Sequence, residues 1–176
     1  MQLSTCPNRL LRQGGRTKLV LWLALVFVHG SAVAHGVADL PQVLQEKIEA
    51  AEELCSATNN GAFALEWGAV DRVDLDGDGT SDWILNEAGF ACSSGVSLYC
   101  GTGGCMSHFL ISDSLQSLLN QGWALIATAH GPLVLARLNS SACRGGVASP
   151  CFAASIWDAE SGSWRSATAQ WEDRAP

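Results

Sequence analysis

Apolar residues near the start of the patterned region recur at helical spacing. Leu44, Ile48, Ala51 and Cys55 form one stripe with Leu54 beside it, while Lys47, Glu49, Glu52 and Glu53 fall on other faces. Asp39 is placed to cap this helix with Gln42 three residues on, Pro41 is tolerated in the first turn, and Asn59-Asn60-Gly61 ends it near Ala57. From Phe63 the period changes to two, as Phe63, Leu65 and Trp67 alternate with small or polar residues. Strand-like runs follow at 69–74, 82–87, 106–112, 123–128, 132–138, 151–157 and 163–169, separated by Gly, Asn and Ser clusters. The stretch from Leu115 to Leu119 fits either helix or strand. The pattern predicts one α+β domain, an N-terminal helix packed on a mostly antiparallel sheet.

The first 34 residues follow a different logic. Arg9, Arg12, Arg16 and Lys18 form a basic stretch without acids, an apolar run extends from Leu19 to Val28, and Ser31-Ala32-Val33-Ala34 supplies small residues at a cleavage site. This is the pattern of a secretory signal peptide (residues 1–34). The apolar run is too short for a membrane span, which needs about 20 residues. Cleavage after Ala34 leaves a mature chain of residues 35–176 that is periplasmic or secreted. That chain keeps all 17 acidic residues but only Lys47, Arg72, Arg137, Arg144, Arg165 and Arg174 of the basic ones, a formal charge of −11. Such a charge argues against nucleic acid and anionic membrane surfaces, and favours cations or basic partners.

Cys6 leaves with the leader. Cys55, Cys92, Cys100, Cys105, Cys143 and Cys151 remain, an even number that reads as three disulfides in an oxidising compartment. Cys143 and Cys151 flank a turn-rich stretch and are expected to pair. The connectivity of the other four stays open. A zinc site would use tighter Cys spacings with more His nearby than His108 alone.

The sharpest motif is Asp74-Leu75-Asp76-Gly77-Asp78-Gly79-Thr80-Ser81-Asp82. Alternate residues of a tight loop point inward, so Asp74, Asp76 and Asp78 can converge on one cation. Thr80 can offer its backbone carbonyl, and Asp82 closes the shell directly or through water. Such hard oxygen ligands suit Ca2+. Position 12 of an EF-hand needs a bidentate Glu, but Leu85 stands there and the flanks are strand-like, so this is not an EF-hand.

The loop, with Trp83-Ile84-Leu85 after it, resembles the calcium loops of FG-GAP and VCBS extracellular repeats. That resemblance implies a structural calcium ion held between two strands. It covers about 15 residues and occurs once, so it does not imply a propeller. More of the chain resembles a group of exported bacterial proteins that combine such a loop with Cys-Gly-x-Gly-Gly-Cys, here Cys100 to Cys105, and a late Cys-containing hairpin ending in Trp157-Asp158. This second resemblance implies no activity.

Weaker signals remain. Cys100-Gly-Thr-Gly-Gly-Cys105 reads as a disulfide-closed turn rather than an anion-binding nest. His108 lies among Met106, Phe109 and Leu110 in a strand-like run and reads as a partly buried structural histidine, and no Gly-x-Ser-x-Gly elbow frames a nucleophile for a Ser-His-Asp arrangement with it or His130. Glu66 and Glu87 have nothing in the sequence that brings them together. Trp157 and Trp164 flank a turn and are expected to face each other across a hairpin, either as packing or as a platform for sugar rings or a peptide. The sequence therefore leads to a noncatalytic calcium-binding module with an unidentified protein or glycan partner. Its rivals are a calcium-dependent carbohydrate or cell-wall module, an acidic inhibitor or partner of a basic enzyme such as a lysozyme, and a hydrolase, which would need a cleft with His beside Ser or carboxylates.

Overall fold

A computed structural model describes residues 39–95, 97–143 and 151–170. The expected leader, Trp171 and residues 144–150 between Cys143 and Cys151 lie outside the described residues. Helix α1 runs Gln42–Ala57 and buries Leu44, Ile48, Ala51 and Cys55, the stripe its spacing predicts. Its N-cap is Pro41 and carries no side-chain cap, so the expected Asp39 cap does not form. Gln42 instead donates forward to Glu46 at 2.9 Å, one helical turn along. The helix stops where Asn59 and Asn60 both take positive φ and the Gly61 amide turns back to the Cys55 carbonyl.

Eleven strands follow among the described residues. They are β1 (Phe63–Leu65), β2 (Val70–Val73), β3 (Asp82–Asn86), β4 (Phe90–Cys92), β5 (Cys100–Gly101), β6 (Gly104–Ile111), β7 (Ser114–Asn120), β8 (Trp123–Thr128), β9 (Gly131–Leu138), β10 (Cys151–Asp158) and β11 (Ser163–Gln170). All pairings are antiparallel. β1 pairs with β4. A five-stranded sheet runs β2-β3-β6-β5 with β7 on β6, and a four-stranded sheet runs β11-β10-β9-β8. The segment from Leu115 to Leu119 resolves as strand, held by the β6–β7 hairpin. The expected α+β class holds in outline, with strands dominating. Among the described residues no helix is long and apolar enough to cross a membrane.

Period-two alternation gives β3 and β6 two apolar faces. Leu85 and Leu110 join Leu44, Ile48, Ala51 and Phe90 in one buried cluster. Ile84, Phe109 and Ile111 point the other way and join Leu75 and Val134, with Trp123, Trp157 and Trp164 packed against them. Gln116 of β7 bridges the sheets on this second side, donating at 2.8 Å to both Ser155 of β10 and Ser166 of β11.

Three disulfides close the chain. Cys143 pairs with Cys151 as expected. Cys55 pairs with Cys92, linking α1 to β4, and Cys100 pairs with Cys105 across the β5–β6 hairpin. Gly104 in that hairpin has φ +109°, and a Cβ there would lie 1.8 Å from the Asn120 carbonyl oxygen, so no side chain fits.

Candidate metal centre

β2 and β3 pair in register from Val70–Leu85 to Val73–Asp82, and the aspartate loop closes the hairpin. Leu75, the second residue of the loop, is 0% exposed and sits in the core cluster with Ile84 and Phe109. That anchor fixes the loop against the body of the domain. Its amide donates to Asp82 Oδ2 at 2.8 Å, which ties the start of the loop to its end. An added Cβ at Gly77 would lie 3.3 Å from Pro132, so the loop rests against the β8–β9 turn.

The remaining amides fold onto the carboxylates. Gly77 and Gly79 donate to the two oxygens of Asp74 at 2.6 and 3.0 Å, Asp78 donates to Asp76 Oδ1 at 3.0 Å, and Thr80 donates to Asp78 Oδ1 at 2.6 Å. Gly77 and Gly79 have φ of +84° and +87°, a backbone that glycine adopts without strain. The loop is thus wound so that Asp74, Asp76 and Asp78 converge, each offering an oxygen within 4.8 Å of the others. Two oxygens on one calcium ion stand at most about 5 Å apart, twice a Ca–O bond.

Charge is left unbalanced here. Arg72 is the nearest cation in sequence, but it lies 4.3 Å over the ring of Trp83 and donates to the Ser81 carbonyl. Among the described residues no basic side chain forms an ion pair with the three aspartates. Partial desolvation opposes ionisation of Asp74, yet the Gly77 and Gly79 amides and Asp76 outweigh it and hold its carboxyl below the usual value. Asp82 moves the other way. Desolvation raises its pKa, and the charges of Asp76, Asp78 and Asp74 raise it further against the Leu75 amide. Asp82 stands outside the three-carboxylate cluster and clamps the loop ends, and Thr80 is exposed.

The other residues singled out in the sequence lie elsewhere. Trp157 and Trp164 are cross-strand partners with ring centroids 5.8 Å apart and planes at 78°, half-buried against the Phe109 cluster rather than coplanar and open. His108 is 2% exposed. Its Nδ1 lies 2.7 Å from Ser117 Oγ and its Nε2 3.0 Å from Glu87 Oε1, so both ring nitrogens are engaged. Glu87 is thereby committed to His108, and Glu66 sits apart on the turn after β1. The cross-strand pairing of β3, β6 and β7 creates the His108 arrangement, and no local motif announces it. Comparisons with protein families, with curated proteins and with solved structures find no match for this chain.

Proposed function

We propose that this protein is an exported, disulfide-stabilised module that binds one calcium ion in the loop from Asp74 to Asp82. The reading rests on one observation: three carboxylates converge within 4.8 Å on a loop wound by its own amides, with no basic side chain among the described residues paired to them. Like charges at that spacing repel by roughly 1 kcal/mol per pair in water, and by more where solvent is excluded. A divalent cation removes that cost, and the two glycines with positive φ supply the bend that such a loop needs. Asp74, Asp76 and Asp78 supply oxygens in this reading, the Thr80 carbonyl adds one, and Asp82 joins directly or through water. The ion is structural, locking the β2–β3 hairpin, and α1 docks over the opposite face of the five-stranded sheet. Residues 1–34 direct export, and the mature protein is periplasmic or secreted. We assign it no catalysis.

The test is thermal unfolding in calcium and in chelator. Calcium at a hundredfold excess over Kd should stabilise the fold by about 2.7 kcal/mol. The Kd expected for an extracellular-type site is about 10⁻⁴ to 10⁻³ M. Magnesium should do less, because it demands a tight octahedral shell. Asp76→Ala should abolish most of the calcium effect. An unchanged midpoint for the wild type between calcium and chelator overturns the reading.

A further inference from the structure

At the far end of the same strands lies a cleft of about 680 Å³, within the range of small-molecule sites. β3 runs from the aspartate loop at Asp82 to the cleft at Asn86, and β9 runs from the loop-side Pro132 to Arg137 in the cleft wall. The distance from Pro132 to Arg137 along β9 is about 17 Å at strand rise. Trp67 stands at the cleft and is 101% exposed, although a side chain of that area is ordinarily covered. It sits there because the chain leaves β1 at Leu65 and turns. The Ala69 amide returns to the Glu66 carbonyl at 3.1 Å, and Gly68 takes φ +81°. The period-two expectation of a third inward residue at 67 therefore fails, and the ring projects into solvent.

The cleft floor is polar and already fixed in place. Asn86 donates to the Gly68 carbonyl at 3.1 Å and accepts from Trp123 Nε1 at 2.8 Å. Asn120, 4% exposed, donates to Ser107 Oγ at 3.0 Å and accepts the Gly122 amide at 2.9 Å. Gln121 donates to the Thr102 carbonyl at 3.1 Å, which connects the Cys100–Cys105 hairpin to this wall. The β7–β8 turn is pinned to β9, with the Gln121 amide on the Arg137 carbonyl and the Arg137 amide on the Gly122 carbonyl, both at 2.8 Å. Such bracing lowers the ordering cost of binding.

The lining states the class of ligand. Glu66 and Arg137 bring opposite charges to the cleft, so it has no net preference for a polyanion, and the chain's overall negative charge opposes one. The floor amides and hydroxyls are spent on one another, but the exposed Glu66, Thr102, Gln121 and Arg137 on the rim offer donors and acceptors that suit a ligand rich in hydroxyls rather than a hydrocarbon. The uncovered indole of Trp67 suits the C–H face of a pyranose ring. We propose that this cleft is a binding site for a neutral saccharide, with Trp67 as the stacking surface and Glu66, Gln121 and Arg137 as hydroxyl partners. The site lies apart from the aspartate loop, so the sugar is not a calcium ligand and the proposal does not depend on the calcium reading.

Calorimetry and tryptophan fluorescence with chitotriose, cellotriose and maltotriose test this directly. The protein should bind at least one of them saturably, in calcium and in chelator alike, at a temperature where both forms are folded. Trp67→Ala should weaken binding by about tenfold, the upper end of what loss of a stacking partner costs. Its circular dichroism and melting temperature should not change, because the ring is fully exposed. Glu66→Gln and Arg137→Ala should each weaken binding by about threefold, while Asp76→Ala should leave it unchanged. Three outcomes overturn the proposal: no saturable binding of any of the three sugars, wild-type affinity in Trp67→Ala, or binding of an acetylated alanine tetrapeptide with none of the sugars. Loss of sugar binding in Asp76→Ala alone overturns the separation of the two sites.

Discussion

The two ends of the strands solve the same problem in opposite ways. Each end gathers polar groups where β2, β3 and the β8–β9 hairpin meet solvent. At the loop end the groups are carboxylates, satisfied by backbone amides but carrying uncompensated charge. At the cleft end they are neutral amides and hydroxyls that satisfy one another. The cleft wall is also stapled covalently by Cys100–Cys105, and β4, which leads away from Gly89 of the cleft, is tied to α1 by Cys55–Cys92. Order at one end should therefore respond to cations and pH, and order at the other to redox conditions.

Removing the Cys55–Cys92 bridge should produce the largest effect. It closes a 37-residue separation, and chain entropy assigns such a loop about 3–4 kcal/mol. Cys55→Ala with Cys92→Ala should lower stability by that amount in denaturant unfolding, in calcium and in chelator alike. A loss confined to chelator would mean that the two ends are not separate.

Truncating the anchor of the loop comes next. Leu75→Ala empties a fully buried site and should cost about 2–4 kcal/mol. It should also weaken calcium stabilisation, because the loop start loses its tether. A calcium response as large as the wild type's would show that the Leu75 anchor does not position the carboxylates.

Acid should separate the ends further. Calcium needs ionised carboxylates, so the calcium-dependent rise in melting temperature should shrink as pH falls below about 5. In chelator two opposed contributions remain. Asp74 has a lowered pKa, so its stabilisation is present above 3.8 and is lost as pH falls toward its folded value. Asp82 has a raised pKa, so its contribution weakens the fold as pH rises from 3.8 through its folded value. Melting curves from pH 3 to pH 7 with and without calcium should converge at the acid end; curves that stay parallel would exclude carboxylate ligands.

The smallest expected effect sharpens the role of Asp82. Asp82→Asn keeps an oxygen for the Leu75 amide and removes the charge that its neighbours repel. In chelator its melting temperature should rise by about 1–2 °C, a small change because solvent screens the group. In calcium the same variant should lose part of the metal's stabilisation. A fall in chelator would show that the charge itself strengthens the clamp on Leu75.

The loop end was legible in the sequence because its ligand candidates are nine consecutive residues whose spacing carries the geometry. The helix stripe was legible for the same reason, and so was the Cys143–Cys151 pair. The cleft was not legible. Its residues come from the β1–β2 turn, β3, the Cys100–Cys105 hairpin, β6, the β7–β8 turn and β9, and only the pairing of strands brings them together. Trp67 misled the alternation because Glu66 keeps the pattern polar–apolar up to the turn; Gly68 directly after it was the one local sign of the bend. β4 and β5 escaped notice because two or three residues hold no readable period, and pairing and disulfides define them instead. The cap failed at Asp39 because Pro41, with an extended ψ of 143°, is itself the N-cap and leaves Asp39 two residues outside it.

Apolar faces attract without direction and tolerate sliding, so the cluster around Phe109 does not by itself decide how the two large sheets are aligned. Gln116 does. Its amide meets two hydroxyls that are also 2.8 Å from each other, and Ser155 is 1% exposed. Sliding either sheet by one residue along its strands moves it about 3.3 Å, and the neighbours of Ser155 on the same face of β10 are Ala153 and Trp157, which offer no hydroxyl. A hydrogen bond does not survive that displacement, and the stranded hydroxyl would lie in a dry interface. This closed triangle of three polar atoms works as a keyway. It adds little cohesion, but it admits one alignment of the sheets and rejects its neighbours.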